Sequence, residues 1–335
     1  MKRTCRTRRK TMSSKIAFPG LGIGEFEIKR VAFEIFGRPV AWYGLIIAIG
    51  MIVAISYVML RTREYKGIKP DDVVDFALFI IIFGVIGARL YYVITDGGYD
   101  SFSEVIAIWN GGLAIYGGII AGGITAVVVC LVKKIRYQCF LDMLAPAVMI
   151  AQAIGRWGNF CNGEAFGTET TSFIRMQLTN ALTAHQTICV HPTFLYESLW
   201  NVLGFVLLNL LYRRRKFDGQ IILGYFAWYG FGRMFIEGLR TDSLYVGTFR
   251  ISQVVGLVSF VLATAAMVYI LVSGKGKRYE SASYKVEKEE VETPSIAPVI
   301  GDLEKNDEIS DDSSDENEQV ASDEESSEIK EEKGK

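Results

Sequence analysis

The sequence predicts an all-α polytopic membrane protein with seven transmembrane helices, its N-terminus outside, its C-terminus cytoplasmic and a small extracytoplasmic head region. Three observations lead there. Half of the 335 residues are apolar and concentrate in stretches of spanning length; basic residues gather in alternate loops; and charge is segregated along the chain. Residues 281 to 335 hold 19 Asp or Glu against 6 Lys or Arg, a net of −13, whereas residues 1 to 280 carry +12. The near-neutral total therefore conceals a basic body and an acidic tail.

About 20 apolar residues, rising 1.5 Å each, cross a hydrocarbon core of about 30 Å. Seven stretches qualify, approximately Ala41–Leu60, Phe76–Ile94, Ala114–Val132, Met143–Phe160, Thr193–Tyr212, Gln220–Leu239 and Ile251–Ser273. Any one of them could be the buried core of a soluble protein, but not seven in series. Cytoplasmic loops retain Lys and Arg. The loops after the first, third and fifth spans, with the segment after the seventh, read RTREYKGIK, KKIR, RRRK and KGKR and hold fourteen basic residues. The loops after the even-numbered spans hold only Arg175, Arg240 and, at the edge of the last span, Arg250. Odd-numbered spans are therefore expected to end in the cytoplasm. The basic run MKRTCRTRRK opposes an outside N-terminus, a conflict that disappears if Met12 is the true start. The expected organisation is a basic extension at 1–14, a membrane domain at 15–274 and an acidic cytoplasmic tail at 275–335, too poor in apolar residues to fold.

Between the spans, FEIKRVAFEIF within residues 15 to 39 alternates in the manner of a short hairpin or interfacial strand. The outer loop from about 161 to 192 is too long for a connector and is expected to form a head domain or lid. NGGLAIYGGIIAGG holds three Gly pairs. Gly118 and Gly122 suit close helix packing, and Gly111–Gly112 marks a break before the third span. The cysteines show no metal or redox spacing, although Cys161 and Cys189 both fall outside and could pair; the N-terminal basic run lacks the apolar region of a cleavable signal peptide. No cofactor, metal or nucleic-acid partner is expected.

Ionisable residues inside a span cost several kcal/mol unless paired or solvated, so each is a candidate for function. Four regions qualify, all on the outer half: Arg89; Arg156, Asn159, Asn162 and Glu164; His191 and Glu197; and Arg233, Glu237 and Arg240. Arg233 and Glu237 share a helical face, which leaves Arg240 free. Four arginines against three carboxylates give an excess of positive charge. Arginine's planar fork suits phosphate, and asparagine orients neutral oxygens, so the expectation is an outer-leaflet cavity for an anionic phospholipid head group. The alternatives are an ion-pair network that only fixes helix packing, and a transporter or binding protein for an anionic solute. The transporter requires polar residues down to the cytoplasmic side, where the spans are nearly all apolar.

The run LDMLAPAVMIAQAIGRWGNFCNGEAFG (141–167), with VAWYGL (40–45), GARLYYV (87–93), HPTFLYES (191–198) and RMFIEGLRTDSL (233–244), resembles the conserved blocks of the prolipoprotein diacylglyceryl transferases, in order and over about residues 15 to 273. The resemblance implies a seven-helix plasma-membrane enzyme that moves the diacylglyceryl group of phosphatidylglycerol onto the lipobox cysteine of preprolipoproteins, releasing glycerol 1-phosphate. By motif, Arg156, Asn159, Glu164, Gly167, Tyr43, Arg233, Glu237 and Arg240 fall at the family's important positions. One departure stands out: AIYGG places Tyr116 where many members carry a histidine considered as a base. On this reading Arg156 and Arg240 hold the phosphate, Arg233 is positioned by Glu237, and Asn159 and Tyr43 orient substrate. Glu164 shapes the site or accepts the thiol proton. Arg89, Tyr116 and His191 complete the substrate-binding set, with His191, beside Pro192 at a helix start, expected to be structural rather than catalytic.

Overall fold

Eight helices and eight short strands make up the computed structural model, which describes residues 13–279 and 282 apart from 66, 98, 100, 109, 110, 243, 244 and 247. Of the expected basic extension only Ser13 and Ser14 are described, and they begin a strand; the rest of it and almost all of the acidic tail lie outside the described residues. The helices are α1 (Trp42–Arg61), α2 (Pro70–Asp96), α3 (Phe102–Val105), α4 (Ile115–Val132), α5 (Tyr137–Asn162), α6 (Thr193–Arg214), α7 (Gln220–Leu239) and α8 (Ile251–Ser273). Seven are long, and each lies over one of the apolar stretches read from the sequence. Six of them are long and apolar enough to cross a membrane. The exception is α7, where Arg233, Glu237 and Gln220 dilute an otherwise apolar, aromatic helix.

The body is helical, whereas the head is β-structure. Strands β1 (Ser13–Phe18), β2 (Ile23–Lys29), β5 (Met176–Thr179) and β6 (Ile188–Val190) form an antiparallel sheet in the order β2-β1-β5-β6. Both segments singled out in the sequence, 15–39 and the long loop 161–192, therefore meet in one sheet. Its inner face buries Ile16, Phe18, Met176, Leu178 and Val190 against Phe194 of α6. The hairpin β3 (Val31–Ile35) and β4 (Arg38–Ala41) leads directly into α1, and β7 (Tyr245–Val246) pairs with β8 (Phe249–Arg250) before α8. Cys161 and Cys189 are free thiols.

Among the helices, α1 packs on α5, α2 on α4, α5 on α6 and α7 on α8. The α2–α4 crossing is closest at Gly87 and Gly117, next to the expected Gly118, because small residues let membrane helices approach. Gly111 and Gly112 both have positive φ, 89° and 80°, and break the chain before α4 as expected.

At the end opposite the head, Asp142 of α5 accepts hydrogen bonds from the backbone N–H groups of Gly219, Ile221 and Ile222 at 2.7, 3.0 and 2.9 Å. It thereby satisfies the first turn of α7, whose amides have no partner inside the helix. Beside it, Arg215 donates to Asp218, the Tyr212 carbonyl and the Tyr65 hydroxyl. Arg215 is thus one of the basic loop residues, yet buried, and it ties the α1–α2 and α6–α7 connections together.

Candidate active site

The site is assembled where α5, α6 and α7 reach the head. Ser198 of α6 donates to the Ala153 carbonyl at 2.9 Å and accepts from the Trp157 indole at 3.2 Å, which clamps α5 to α6. Trp200 and Trp228 stack with centroids 4.1 Å apart, and each indole donates to the other's backbone carbonyl, which clamps α6 to α7. These two clamps bring residues from three helices onto one carboxylate.

That carboxylate is Glu197, 4 % exposed. Its Oε2 lies 2.7 Å from Arg156 and 3.0 Å from Arg233, and its Oε1 accepts from Arg240 at 2.9 Å. Arg233 also pairs with Glu237, as the four-residue spacing predicts. Arg240 is not free, contrary to the sequence expectation: it binds Glu197 and is gripped by Asp242 at 3.0 and 2.8 Å. The reason is partly local, since Asp242 lies two residues on, and partly tertiary, since α6 supplies a carboxylate that the spacing within α7 cannot reveal. Arg250 donates to the Glu237 carbonyl and brings a fourth cation to three carboxylates. The fourth arginine beside this group is therefore Arg250, not Arg89.

Two glycines set the backbone here. A Cβ on Gly158 would stand 2.8 Å from the Tyr43 ring, so only glycine lets α1 lay that ring against α5. A Cβ on Gly167 would meet His191 Cβ at 2.7 Å, Thr193 Cγ2 at 3.0 Å and the Leu239 carbonyl at 3.1 Å. Gly167 instead donates to the His191 carbonyl at 3.0 Å and bridges to Arg240, and Thr168 donates to the Leu239 carbonyl at 2.8 Å. The chain after the long motif is thus stitched to the chain that carries Arg240.

Tyr43, Arg156 and Asn159 line the head end of a groove of about 430 Å³ between α1, α2 and α5, open along one side. Below them its wall is apolar apart from Gln152: Ile47, Met51, Ala54, Ile80, Leu144 and Val148 are representative. Arg156, with 20 % of its side chain exposed, links groove and cluster.

Glu164 stands on the other side of Asn159. Its carboxylate accepts from Asn159 at 3.3 Å and Asn162 at 3.0 Å and lies 3.7 Å from Arg30, whose Nε donates to Asn162. Arg30 carries no signal in the sequence that marks it as a site residue, and Asp242, although inside the block RMFIEGLRTDSL, was not singled out. Arg30 is the single residue between β2 and β3, and only the fold brings it to a residue 132 positions away.

Arg89 is elsewhere. Its guanidinium donates to the carbonyls of Glu104, Val105, Gly111 and Gly112 at 2.7 to 2.9 Å, holding the loop between α2 and α4. Tyr116 hydrogen-bonds Ser252 of α8 at 3.2 Å, and the Nδ1 of His191 lies 3.1 Å from the Tyr196 hydroxyl. None of these contacts joins the Glu197 cluster.

The family model for prolipoprotein diacylglyceryl transferase matches residues 30–269. The chain is 43 % identical over 256 residues to the phosphatidylglycerol–prolipoprotein diacylglyceryl transferase of Listeria monocytogenes serotype 4b, covering 74 % of this chain and 92 % of the relative. The enzyme of that name from Enterococcus faecalis is 42 % identical over 282 residues (80 % and 98 %), and that from Streptococcus uberis 41 % over 260 (75 % and 97 %). Every motif on which the resemblance rested lies wholly or largely within residues 30–269, and the chain belongs to the prolipoprotein diacylglyceryl transferase family.

Proposed function

We infer that the chain is a multi-pass plasma-membrane transferase that moves the diacylglyceryl group of phosphatidylglycerol to the lipobox cysteine thiol of preprolipoproteins. The observation that carries this reading is the junction at Arg156, where one guanidinium serves both an apolar groove of lipid-like character and a group of half-buried arginines around the buried Glu197. A diacylglyceryl phosphate has that polarity: acyl chains below, phosphate above. The reading includes seven spans with the head outside. It counts α7, since twenty residues rise about 30 Å and its charged residues are paired at the head end.

The chemistry is a displacement at the glycerol carbon that bears the phosphate. The substrate sulfur forms the C–S bond, the C–O bond breaks, and the electron pair leaves on the phosphate of glycerol 1-phosphate. The departing dianion needs donors held in place before it forms. Arg156 and Arg240 supply them, with Arg233 within reach through the shared Glu197; a guanidinium has five N–H donors, and Glu197 engages Arg156 through a single nitrogen. The same positive field lowers the pKa of the incoming thiol, about 8.5 when unperturbed, toward the thiolate. Asn159 and Tyr43 orient the lipid or the cysteine. Glu164, held by two amides, is the carboxylate placed to take the thiol proton or to fix Asn159. Tyr116 contributes packing against α8 rather than base catalysis.

A transporter or binding protein for an anionic solute explains the arginines but not the groove, whose wall below Arg156 holds almost no polar group to pass an anion. The test is purified protein with phosphatidylglycerol and a lipobox peptide, scored for the diacylglyceryl thioether by mass. A folded protein that yields none overturns the reading.

A further inference from the structure

The groove has a closed far end, and we propose that this end limits the acyl-chain length of the lipid donor. The inference rests on the transfer reading above and adds a specificity to it. Val58 of α1, Val73 and Phe76 of α2 and Phe140 of α5 form the floor, all buried. The Phe76 and Phe140 rings stack with centroids 3.8 Å apart, joining the two helices beneath the groove.

The length fits an acyl chain. Arg156 and Phe140 are sixteen residues apart on α5, a rise of about 24 Å. An extended polypeptide advances about 3.5 Å over three backbone bonds, so an extended alkyl chain covers about 1.2 Å per bond, and the groove holds about 20 bonds. With the phosphate seated at Arg156, the phosphate ester, glycerol and carboxyl linkages take about five of these, leaving an alkyl chain of about 15 bonds, or 16 carbons.

The experiment uses the full-length enzyme in mixed micelles of fixed lipid content, a lipobox peptide, and phosphatidylglycerols with identical saturated chains graded from well below to well above about 16 carbons. The wild type is expected to lose about tenfold in kcat/KM beyond a limiting length. Phe140→Ala, which opens the floor, is expected to move that limit to longer chains. Ala54→Phe fills the groove one helical turn above Val58, about 6 Å, and is expected to move the limit about five carbons shorter. If Phe140→Ala does not fold, the shortening by Ala54→Phe decides alone. An unchanged limit in the folded variants, or a wild type that transfers all lengths equally, overturns the ruler while leaving the transferase reading intact. A folded wild type that makes no thioether from any lipid overturns both.

Discussion

Oε2 of Glu197 stands 2.7 Å from the guanidinium of Arg156, joining the end of α5 to the start of α6 inside the head end of the bundle. The pair sits in a group, since the same carboxylate binds Arg233 and Arg240. A buried carboxylate that compensates three cations positions all of them, and its removal leaves them to repel one another.

Glu197→Gln is therefore expected to destabilise the protein by about 3–5 kcal/mol and to abolish turnover. Thermal unfolding in detergent reads the first and thioether yield the second. Unchanged values in both would mean that the arginines hold their places without it.

Arg156→Ala and Asn159→Ala act at the groove itself, where solvent and lipid space can absorb the loss of a side chain. Each is expected to lower kcat by about 100-fold or more, the usual effect of deleting one preorganised donor, with the folded protein retained. Steady-state kinetics on monodisperse protein checks this, and activity within about threefold of wild type would remove either residue from the mechanism.

Gly167→Ala introduces a methyl 2.7 Å from His191 Cβ. Because Gly167 is bridged to Arg240, the displacement is expected to fall on that arginine. Overpacking of this kind costs about 1–3 kcal/mol, and activity is expected to fall more steeply than stability. An enzyme with wild-type kinetics would show that the strand can shift without moving Arg240.

Arg89→Lys removes a planar fork that serves four backbone carbonyls, and an ammonium cannot reproduce it. The expected result is lower stability, by about 1–3 kcal/mol, with KM for phosphatidylglycerol changed by less than about threefold. A tenfold rise in KM at unchanged stability would return Arg89 to the lipid site.

Tyr116→Phe breaks only the contact to Ser252, and its thioether yield is expected to stay within about fivefold of wild type. Abolished turnover with an intact fold would make the Tyr116 hydroxyl, and not Glu164, the group to examine as proton acceptor.

The helical body was legible in the sequence because each apolar stretch must satisfy its backbone internally in lipid, which leaves helix as the only choice for a single segment. Arg156, Asn159 and Glu164 were legible for the same reason: their cost at that depth demands a role. The head sheet was legible only as alternation in 15–39 and excess length in 161–192. Pairing between β1 and β5 joins residues far apart in sequence, and no local pattern encodes it. Arg89 shows the opposite limit, since its cost was visible but its partners, four backbone carbonyls, leave no trace in side-chain chemistry.

By itself, then, the sequence determined that seven long helices form, which residues are too polar for lipid, and which family the chain resembles. Tertiary structure alone decided that Glu197 gathers Arg156, Arg233 and Arg240, and that the groove ends at Phe76 and Phe140. The physical reason is range: burial and helix periodicity act over a few residues of one segment, whereas ion pairing and cavity shape depend on which segments pack together.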